Sequence, residues 1–326
     1  MYLKNLSIKA TMIRRHKVYG QIYEKNLNTH YKGPHGYYKI VTNSSGFRNE
    51  EDFVAKKNKK KRILLFGDSF TAGDNISHGY RFSDLLNQSL SDTEIYNYGI
   101  NGTGTDQQYL IFLNECMQID YDLIILCLTV ENIKRNLQQF REFRFNNIGN
   151  KIYPKPFFVI KNNKLELNIN QNNQLLKKNI ISKMKDKVKF ILRTNMNYNP
   201  NNILVKLLKK DNFLEYSDKR NNAWQLLKKI IFEWSLKAKK PILVMPIPLP
   251  EHYLYNVNYE NIDQRFSELE RDIPGLSYLN LFNEYIRLNY SERNNIHLSA
   301  FDPHISNYGN KLIFNFLINK IKNYEF

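Results

Sequence analysis

A serine, a histidine and an aspartate stand out in this sequence because together they could cleave an ester. Ser69 follows the apolar run 63–66 and the dipeptide Gly-Asp, whereas Asp302 and His304 lie two positions apart near the end of the 326-residue chain. A serine hydroxyl becomes nucleophilic when a histidine removes its proton and a carboxylate orients that histidine. The three residue types therefore make acyl transfer the first chemistry to consider.

A simpler interpretation exists for the serine. Small polar residues after a strand commonly cap the next helix, so Asp68 and Ser69 could have only that role. A serine at the carboxyl end of a buried strand also points into the crevice where open α/β sheets bind ligands. Local sequence does not separate the two interpretations, and the rest of the chain has to decide.

The elements that must position these residues alternate between strands and helices. Short apolar runs predict buried strands at 62–66, 94–98, 121–130 and 240–247, with a further short strand near residue 277. Helical spacing predicts helices at 80–90, 106–117, 222–238, 261–270, 281–288 and after residue 305. This alternation is typical of a parallel sheet with crossover helices. The first strand is followed by neither G-x-G-x-x-G nor G-K-[ST], which argues against dinucleotide and P-loop sites.

Candidate donors for a negatively charged intermediate lie at the ends of the next strands. Acyl transfer needs N–H groups that bind the developing oxyanion. Gly102 belongs to the glycine-dense loop 97–105 after the second strand, and Asn132 follows the third strand. Because the carboxyl ends of parallel strands meet at one edge of a sheet, Ser69, Gly102, Asn132 and His304 are predicted to converge.

Three segments resemble sequence blocks of the SGNH/GDSL hydrolase superfamily. They read G-D-S-F-T-A-G around Ser69, N-Y-G-I-N-G ending at Gly102, and D-P-H-I-S-N-Y-G-N-K around Asp302 and His304. The segment N-S-S-G-F-R also resembles a stretch that precedes the first strand in this group. The resemblance covers about residues 43–132 and 224–318.

The resemblance implies a fold and a set of roles. The fold is expected to be α/β, three-layer α/β/α with a parallel, flavodoxin-like sheet and a central insertion or lid. Ser69 would be the nucleophile, Asp302 and His304 would complete the triad, and Gly102 would supply a backbone N–H to the oxyanion hole. No cofactor and no metal are expected.

The third block departs from the family pattern. The family reads G-N-D after the third strand, and its asparagine amide donates to the oxyanion. This chain reads V-E-N there, which aligns Glu131 with the asparagine and Asn132 with the aspartate. A shift of one residue would let Asn132 reach the oxyanion hole, whereas a carboxylate in that place would repel the charge.

The domain prediction has two parts. Residues 1–60 are expected to form a lead-in that packs on the core, and residues 61–326 the hydrolase-like domain with an insertion at about 134–220. Within the insertion, residues 157–169 predict a hairpin that turns at Asn162 and Asn163, and residues 177–208 predict weakly amphipathic helices. The insertion is interpreted as a lid over the carboxyl edge of the sheet, or as an enlargement without a role at the site.

Charge and composition limit the partners. Lysine and arginine outnumber aspartate and glutamate by 17, which favours contact with an acidic polysaccharide, nucleic acid or membrane surface. No arginine-rich helix or RNA-binding aromatic motif is present, so nucleic acid is not expected. The N-terminus lacks the apolar core of a signal peptide and no run of 18 apolar residues occurs. These features predict a cytoplasmic protein without a transmembrane segment.

Cysteine and histidine usage predicts neither disulfides nor a metal site. Cys116 and Cys127 are too few for a disulfide framework, and the seven histidines show no paired metal-ligand spacing.

The predicted function is a serine esterase that removes or transfers O-acetyl groups on a carbohydrate, with an acylated carbohydrate as the expected partner. The polar, basic and aromatic insertion suits an acylated, acidic sugar better than a lipid. Two alternatives stay open: a weak or inactive hydrolase fold that binds glycan, and a basic protein that docks on acidic lipid or nucleic acid through 56–62 and 206–210. The sequence does not predict the oligomeric state.

Overall fold

The computed structural model describes residues 12–145, 149–169, 213–254, 257–299 and 302–322. The N-terminal and central strands are β1 (Ile13–His16), β2 (Gly20–Tyr23), β3 (Asn28–Gly33), β4 (Gly36–Val41), β5 (Lys61–Gly67), β6 (Thr93–Asn97) and β7 (Leu123–Thr129). The later strands are β8 (Phe140–Phe145), β9 (Gly149–Pro154), β10 (Phe157–Lys161), β11 (Lys164–Asn168), β12 (Ile242–Ile247) and β13 (Leu276–Tyr278).

The helices alternate with the strands of the main sheet. The first helices are α1 (Ser69–Ala72), α2 (Phe82–Ser89) and α3 (Thr105–Ile111), which continues as a π turn, and a 3₁₀ helix covers Val130–Leu137. The later helices are α4 (Leu214–Ser217), α5 (Asn222–Ala238), α6 (Pro250–Leu254), α7 (Glu260–Asp272), α8 (Leu281–Ile286), α9 (Tyr290–Asn294) and α10 (Asn307–Lys322).

The main sheet has five parallel strands in the order β13-β12-β7-β5-β6. Read from the other edge, the order is that of the flavodoxin-like doubly wound fold. Strands β7 and β12 are buried along their whole length, as parallel strands covered on both faces must be. The predicted three-layer α/β/α class with a parallel sheet is confirmed.

Helices on the two faces of this sheet bury a shared apolar core. Helix α2 packs against α10 on one face, and α3 packs against α5 on the other. Trp234 of α5 is fully buried, and its ring lies 4.9 Å from the ring of Phe66 in β5. Strand β5, which precedes the candidate serine, is therefore held by large aromatic contacts on one of its faces.

Two short hairpins precede the main sheet. Strands β1 and β2 pair antiparallel, as do β3 and β4. Sequence analysis predicted no strands here, because four-residue strands such as Ile13–His16 contain few apolar residues. Tyr19, Ile22 and Tyr23 are nonetheless buried in the main core. This region of the N-terminal segment is therefore packed into the same body as the sheet.

The hairpin predicted within the insertion is confirmed. Strands β10 and β11 pair antiparallel around Asn162 and Asn163, whose φ angles of 48° and 59° are both left-handed. Two successive left-handed residues define the turn that best matches the twist of a hairpin, and asparagine tolerates that conformation. The helices predicted at 177–208 and the basic residues 206–210 lie outside the described residues.

The basic run 56–62, named above as a possible docking segment for acidic lipid or nucleic acid, is not wholly exposed. Arg62 is fully buried, and its Nε lies 2.8 Å from Glu94 Oε2. The same guanidinium donates to backbone carbonyls of residues 54–60, here called the approach segment because they lead into β5. These carbonyls include Val54 at 2.8 Å and Lys56 at 2.7 Å. Arg62 therefore fastens the approach segment to the start of β5.

The described helices include none that is long and apolar enough to cross a membrane. Within the same residues, no group of three or more histidine, cysteine, aspartate or glutamate side chains is placed to hold a metal ion.

Candidate active site

Ser69 lies at the junction between β5 and α1. The Asp68 side chain caps α1 by accepting a hydrogen bond from the Phe70 N–H at 3.0 Å. Asp68 is also tied to the end of β7, because Thr129 Oγ1 donates to its Oδ1 at 3.1 Å. The capping interpretation is therefore correct for Asp68, while the hydroxyl of Ser69 is directed elsewhere.

The structure brings Ser69, His304 and Asp302 together. His304 Nε2 lies 2.9 Å from Ser69 Oγ, and His304 Nδ1 lies 2.5 Å from Asp302 Oδ1. Asp302 and His304 come from the loop before α10, and Ser69 follows the carboxyl end of β5. This chain of contacts has the connectivity of a nucleophile, a base and an orienting carboxylate.

Electrostatics favour a charged imidazole next to an ionised carboxylate. Burial opposes the protonated form of His304, but its hydrogen bond to Asp302 and the charges of nearby carboxylates outweigh that effect, so the pKa of His304 lies above its ordinary value. Burial raises the pKa of Asp302, but the hydrogen bond and charge of His304 dominate, so its net pKa is lowered. Asp302 is thus suited to stabilise the imidazolium that forms when His304 takes a proton.

Two further side chains contact Asp302 from outside the triad. Asn75 Nδ2 lies 2.9 Å from Asp302 Oδ2, and His35 Nε2 lies 3.2 Å from the same oxygen. Sequence analysis missed both residues. No local signal could have found them, because His35 lies in a hairpin that was not predicted and is 267 positions from Asp302.

The glycine loop places a second backbone donor near the serine. Gly102 has a φ of +73°, a left-handed conformation that glycine adopts without strain. Among the described residues, the N–H groups of Ser69 and Gly102 have no hydrogen-bond partner. Thr103 closes this turn through a hydrogen bond from its Oγ1 to the Ile100 carbonyl at 2.9 Å. The two unpaired N–H groups are the candidate oxyanion donors.

Side chains from β2 support the same loop. The Tyr23 hydroxyl donates to Asp74 at 3.0 Å and accepts from the Asn101 N–H at 3.3 Å. Gln21 donates to the Asn101 carbonyl, and the Asn101 amide donates to Asp74. These residues were also absent from the sequence prediction, because they belong to the unpredicted hairpin and its partners.

Asn132, rather than Glu131, faces the serine turn. The Asn132 amide donates to Asp68 Oδ2, whereas Glu131 is exposed. The arrangement therefore keeps the carboxylate of Glu131 away from the turn. The Asn132 amide therefore already has one hydrogen-bond partner within the protein, the Asp68 carboxylate.

Two arginines lie beside the glycine loop. Arg135 Nη1 donates to the Thr103 carbonyl at 3.2 Å and lies 3.5 Å from Asp68 Oδ2. The Arg141 guanidinium lies so close to Gly102 that a Cβ added there would be 3.0 Å from Nη2. Both residues belong to the segment after β7, so this segment brings positive charge to the candidate oxyanion side.

A buried ion pair lies next to this group. Lys155 Nζ contacts the Asp106 carboxylate, and both side chains are almost completely buried. Burial lowers the pKa of Lys155 and the charges of Arg141 and Arg135 lower it further, while Asp106 opposes the change. The pair lies against the glycine loop, because a Cβ added to Gly104 would be 2.5 Å from Asp106 Oδ1.

Comparisons with known proteins gave matches only among solved structures. No protein-family model and no curated protein matches the chain. A lipolytic G-D-S-L family protein from Veillonella parvula is 13% identical, with 81% of this chain and 100% of that chain covered and a TM-score of 0.42. A lipase/acylhydrolase from Enterococcus faecalis is 13% identical over 80% of this chain and 95% of that chain, with a TM-score of 0.43. An acetylxylan esterase from Geobacillus stearothermophilus is 10% identical over 82% and 96%, with a TM-score of 0.44.

At these identities the function has to be argued from the site itself. The sheet has the expected strand order, the blocks around Ser69 and His304 meet through those two side chains, and the glycine loop contacts Gly67 through the Ile100 N–H. By its own topology and by the placement of these blocks, the fold is SGNH hydrolase-like, as the sequence predicted.

Proposed function

We propose that this protein is a serine esterase of SGNH type that removes or transfers O-acetyl groups on a carbohydrate. The observation that carries the proposal is the continuous hydrogen-bonded chain from Asp302 through His304 to Ser69. A buried or half-buried serine and histidine can meet for structural reasons alone. A carboxylate on the far imidazole nitrogen, together with unpaired N–H groups beside the serine, is what acyl transfer requires.

In the proposed reaction, His304 removes the Ser69 proton as the hydroxyl oxygen attacks the acetyl carbonyl. The tetrahedral oxyanion is bound by the N–H groups of Ser69 and Gly102. The imidazolium, stabilised by Asp302, then protonates the departing sugar oxygen and an acetyl-enzyme remains. Water, or a hydroxyl of an acceptor, attacks this ester with His304 again acting as the base, and free Ser69 is restored.

Asn132 is proposed as a third oxyanion donor. An amide nitrogen carries two N–H groups, and the contact with Asp68 uses one of them. The second N–H is then available to an oxyanion beside Ser69. Removing one such donor typically costs about 2.7–4 kcal/mol of barrier, so the role of Asn132 has a large measurable consequence.

Charge near the site supports the proposed substrate class. Arg135 and Arg141 lie on the side of the glycine loop, and the whole chain carries a net charge of +17. Guanidinium groups bind carboxylates and phosphates strongly and with defined geometry. These arginines support an acetylated saccharide that bears an acidic group rather than an acyl lipid.

A second candidate function is a glycan-binding protein with little or no esterase activity. The observation that favours it is the hydrogen bond that already occupies the Asn132 amide. If that contact holds the second N–H of the amide away from the oxyanion, only the two backbone donors remain. This candidate predicts saccharide binding that survives Ser69→Ala, with no acetate release by the wild-type protein.

The test is turnover of p-nitrophenyl acetate by the wild type, Ser69→Ala and Ser89→Ala. Ser89 is an exposed serine at the end of α2 and serves as the matched control. The proposal predicts activity in the wild type and in Ser89→Ala, and its loss in Ser69→Ala. Equal rates in the wild type and Ser69→Ala would contradict it.

A further inference from the structure

The outer oxygen of Asp302 is held by two residues from the first quarter of the chain. Asn75 Nδ2 and His35 Nε2 lie 2.9 Å and 3.2 Å from Asp302 Oδ2, while Oδ1 faces His304 Nδ1. From this division of the two oxygens we infer that Asn75 and His35 are positioning residues for the triad. Both side chains contact Asp302, so they would influence the reaction through Asp302 and His304. The inference rests on the proposed function.

The carboxylate needs such contacts because it can rotate. Asp302 lies in a loop, and a rotation about its Cβ–Cγ bond would take Oδ1 out of the plane of the imidazole. His304 donates two hydrogen bonds to Asp302, one from its backbone N–H at 3.2 Å and one from its ring nitrogen, and both go to Oδ1. Donors on Oδ2 oppose the rotation, and hydrogen bonds to an ionised carboxylate are stronger than those between neutral groups.

Asn75 is presented by a rigid loop. Its φ of +65° is left-handed, a conformation that asparagine tolerates better than most residues. The loop is held by Arg48, which is fully buried and donates to the Gly73 carbonyl at 2.5 Å and the Ile76 carbonyl at 2.9 Å. Arg48 is the arginine of the N-S-S-G-F-R segment, so this segment has a structural task next to the site.

The β3–β4 hairpin brings His35 to the same place. A Cβ added to Gly33 would lie 2.5 Å from Asn75 Oδ1, so any side chain at that position would have to displace the Asn75 amide. The Lys39 N–H donates to Ser77 Oγ at 3.0 Å, and the His78 N–H donates to the Lys39 carbonyl at 2.9 Å. The hairpin and the Asn75 loop are therefore joined by contacts on both sides of His35.

Variants at Asn75 separate the contribution of its side-chain amide from that of its left-handed backbone conformation. Asn75→Gly keeps the left-handed conformation and removes the amide, and Asn75→Asp keeps the shape but replaces the donor with a carboxylate beside Asp302. We expect both to lower kcat about 10- to 100-fold, the range of a hydrogen bond to a charged group, with the KM for p-nitrophenyl acetate unchanged. Asn75→Asp should have the larger effect, because it adds repulsion to the lost donor.

Variants of the hairpin test His35. His35→Ala should lower kcat by less than the Asn75 variants, because the His35 side chain is 33% exposed and water can replace it. His35→Gln, which retains an N–H donor, should recover part of the loss. His30→Ala is the matched control, since His30 is exposed on the same hairpin and should keep the wild-type kcat.

A measurement that needs no turnover separates this inference from the proposed function. The Nδ1 proton of His304 exchanges slowly with water only while a fixed carboxylate holds it, and proton NMR detects it at low field. We expect this resonance in the wild type and in Ser69→Ala, and its broadening in Asn75→Asp. If the wild type showed no esterase activity but Asn75→Asp lost the resonance, the positioning role would stand and the proposed function would fail.

Two results would overturn the inference. One is a wild-type kcat and an intact resonance in both Asn75→Gly and Asn75→Asp. The other is an equal loss of kcat in His30→Ala and His35→Ala, which would assign the effect to the folding of the hairpin rather than to the contact with Asp302.

Discussion

The two sides of the candidate site differ in how completely their hydrogen bonds are satisfied. On the acid–base side, Asp302 receives donors on both oxygens, and His304 lies within hydrogen-bond distance of Ser69. On the oxyanion side, two N–H groups are unpaired among the described residues, and the Asn132 amide is turned to Asp68. The hydrogen bonds of the acid–base side are therefore formed before substrate binds, whereas the oxyanion side has unpaired N–H groups that a bound oxyanion would use.

The difference also follows the departure from the family pattern. The blocks around Ser69 and His304 match the family, and their side chains meet as that match implies. The third block does not match, and there the structure shows Asn132 facing inward, Glu131 exposed and two arginines nearby. Under the proposed function, proton transfer is expected to follow the usual course for a serine, histidine and aspartate triad, whereas charge stabilisation and substrate choice are expected to be particular to this chain.

The largest loss of activity is expected from a substitution on the acid–base side. Asp302→Asn keeps the shape of the side chain but favours the wrong imidazole tautomer, so kcat should fall by roughly 10⁴-fold. Steady-state kinetics on p-nitrophenyl acetate measure this, with circular dichroism as the check on folding. A fall of less than about tenfold would mean that Asp302 does not orient His304 during the reaction.

The next largest loss of activity is expected from a substitution on the oxyanion side. If Asn132 supplies a donor, Asn132→Ala should lower kcat about 10²- to 10³-fold, whereas Glu131→Ala should leave it unchanged because that side chain is exposed. The pair of neighbouring variants is its own control. A wild-type kcat in Asn132→Ala would leave the hole with backbone donors alone and would strengthen the glycan-binding alternative.

The pH dependence of activity tests the role of His304 on the acid–base side. The base must be neutral to accept the serine proton, and its pKa lies above the ordinary value of 6.5 because carboxylates surround it. Activity should therefore rise as the pH increases through a midpoint above 6.5, and should fall about tenfold per pH unit well below that midpoint. A profile of kcat/KM that is flat from pH 5 to 8, roughly the range in which histidine titrates, would argue against histidine as the base.

The smallest effect concerns substrate charge. Arg141→Gln should raise the KM for an acetylated, carboxylate-bearing oligosaccharide several-fold, because Arg141 is partly exposed and water screens its attraction for a carboxylate. The KM for its uncharged counterpart should stay as in the wild type. Equal changes for both saccharides would mean that Arg141 shapes the glycine loop and does not recognise charge.

The features that sequence could predict are those whose signal is local. The uninterrupted apolar strands gave the parallel sheet, and the dipeptide Asn162-Asn163 gave the hairpin turn, because both patterns lie within a few residues. Ser69 and His304 were found through their sequence blocks, not through any local signal of proximity.

The features that sequence could not predict depend on contacts between distant segments. His35 and Asn75 look like ordinary hairpin and loop residues until the fold places them against Asp302, 267 and 227 positions away. Arg62 counted as part of a basic surface run, although its guanidinium is buried among carbonyl groups that only the fold assembles. The orientation of Asn132 likewise depends on Asp68, 64 positions earlier.

The central claim is that His304 activates Ser69, and covalent labelling tests it most directly. A fluorophosphonate reacts with a serine that a neighbouring base has activated, and peptide mass spectrometry identifies the modified residue. The account predicts one adduct, on the peptide that contains Ser69, and its loss in His304→Ala. Labelling of Ser69 at the same rate in His304→Ala, or an adduct on another serine in the wild type, would contradict it.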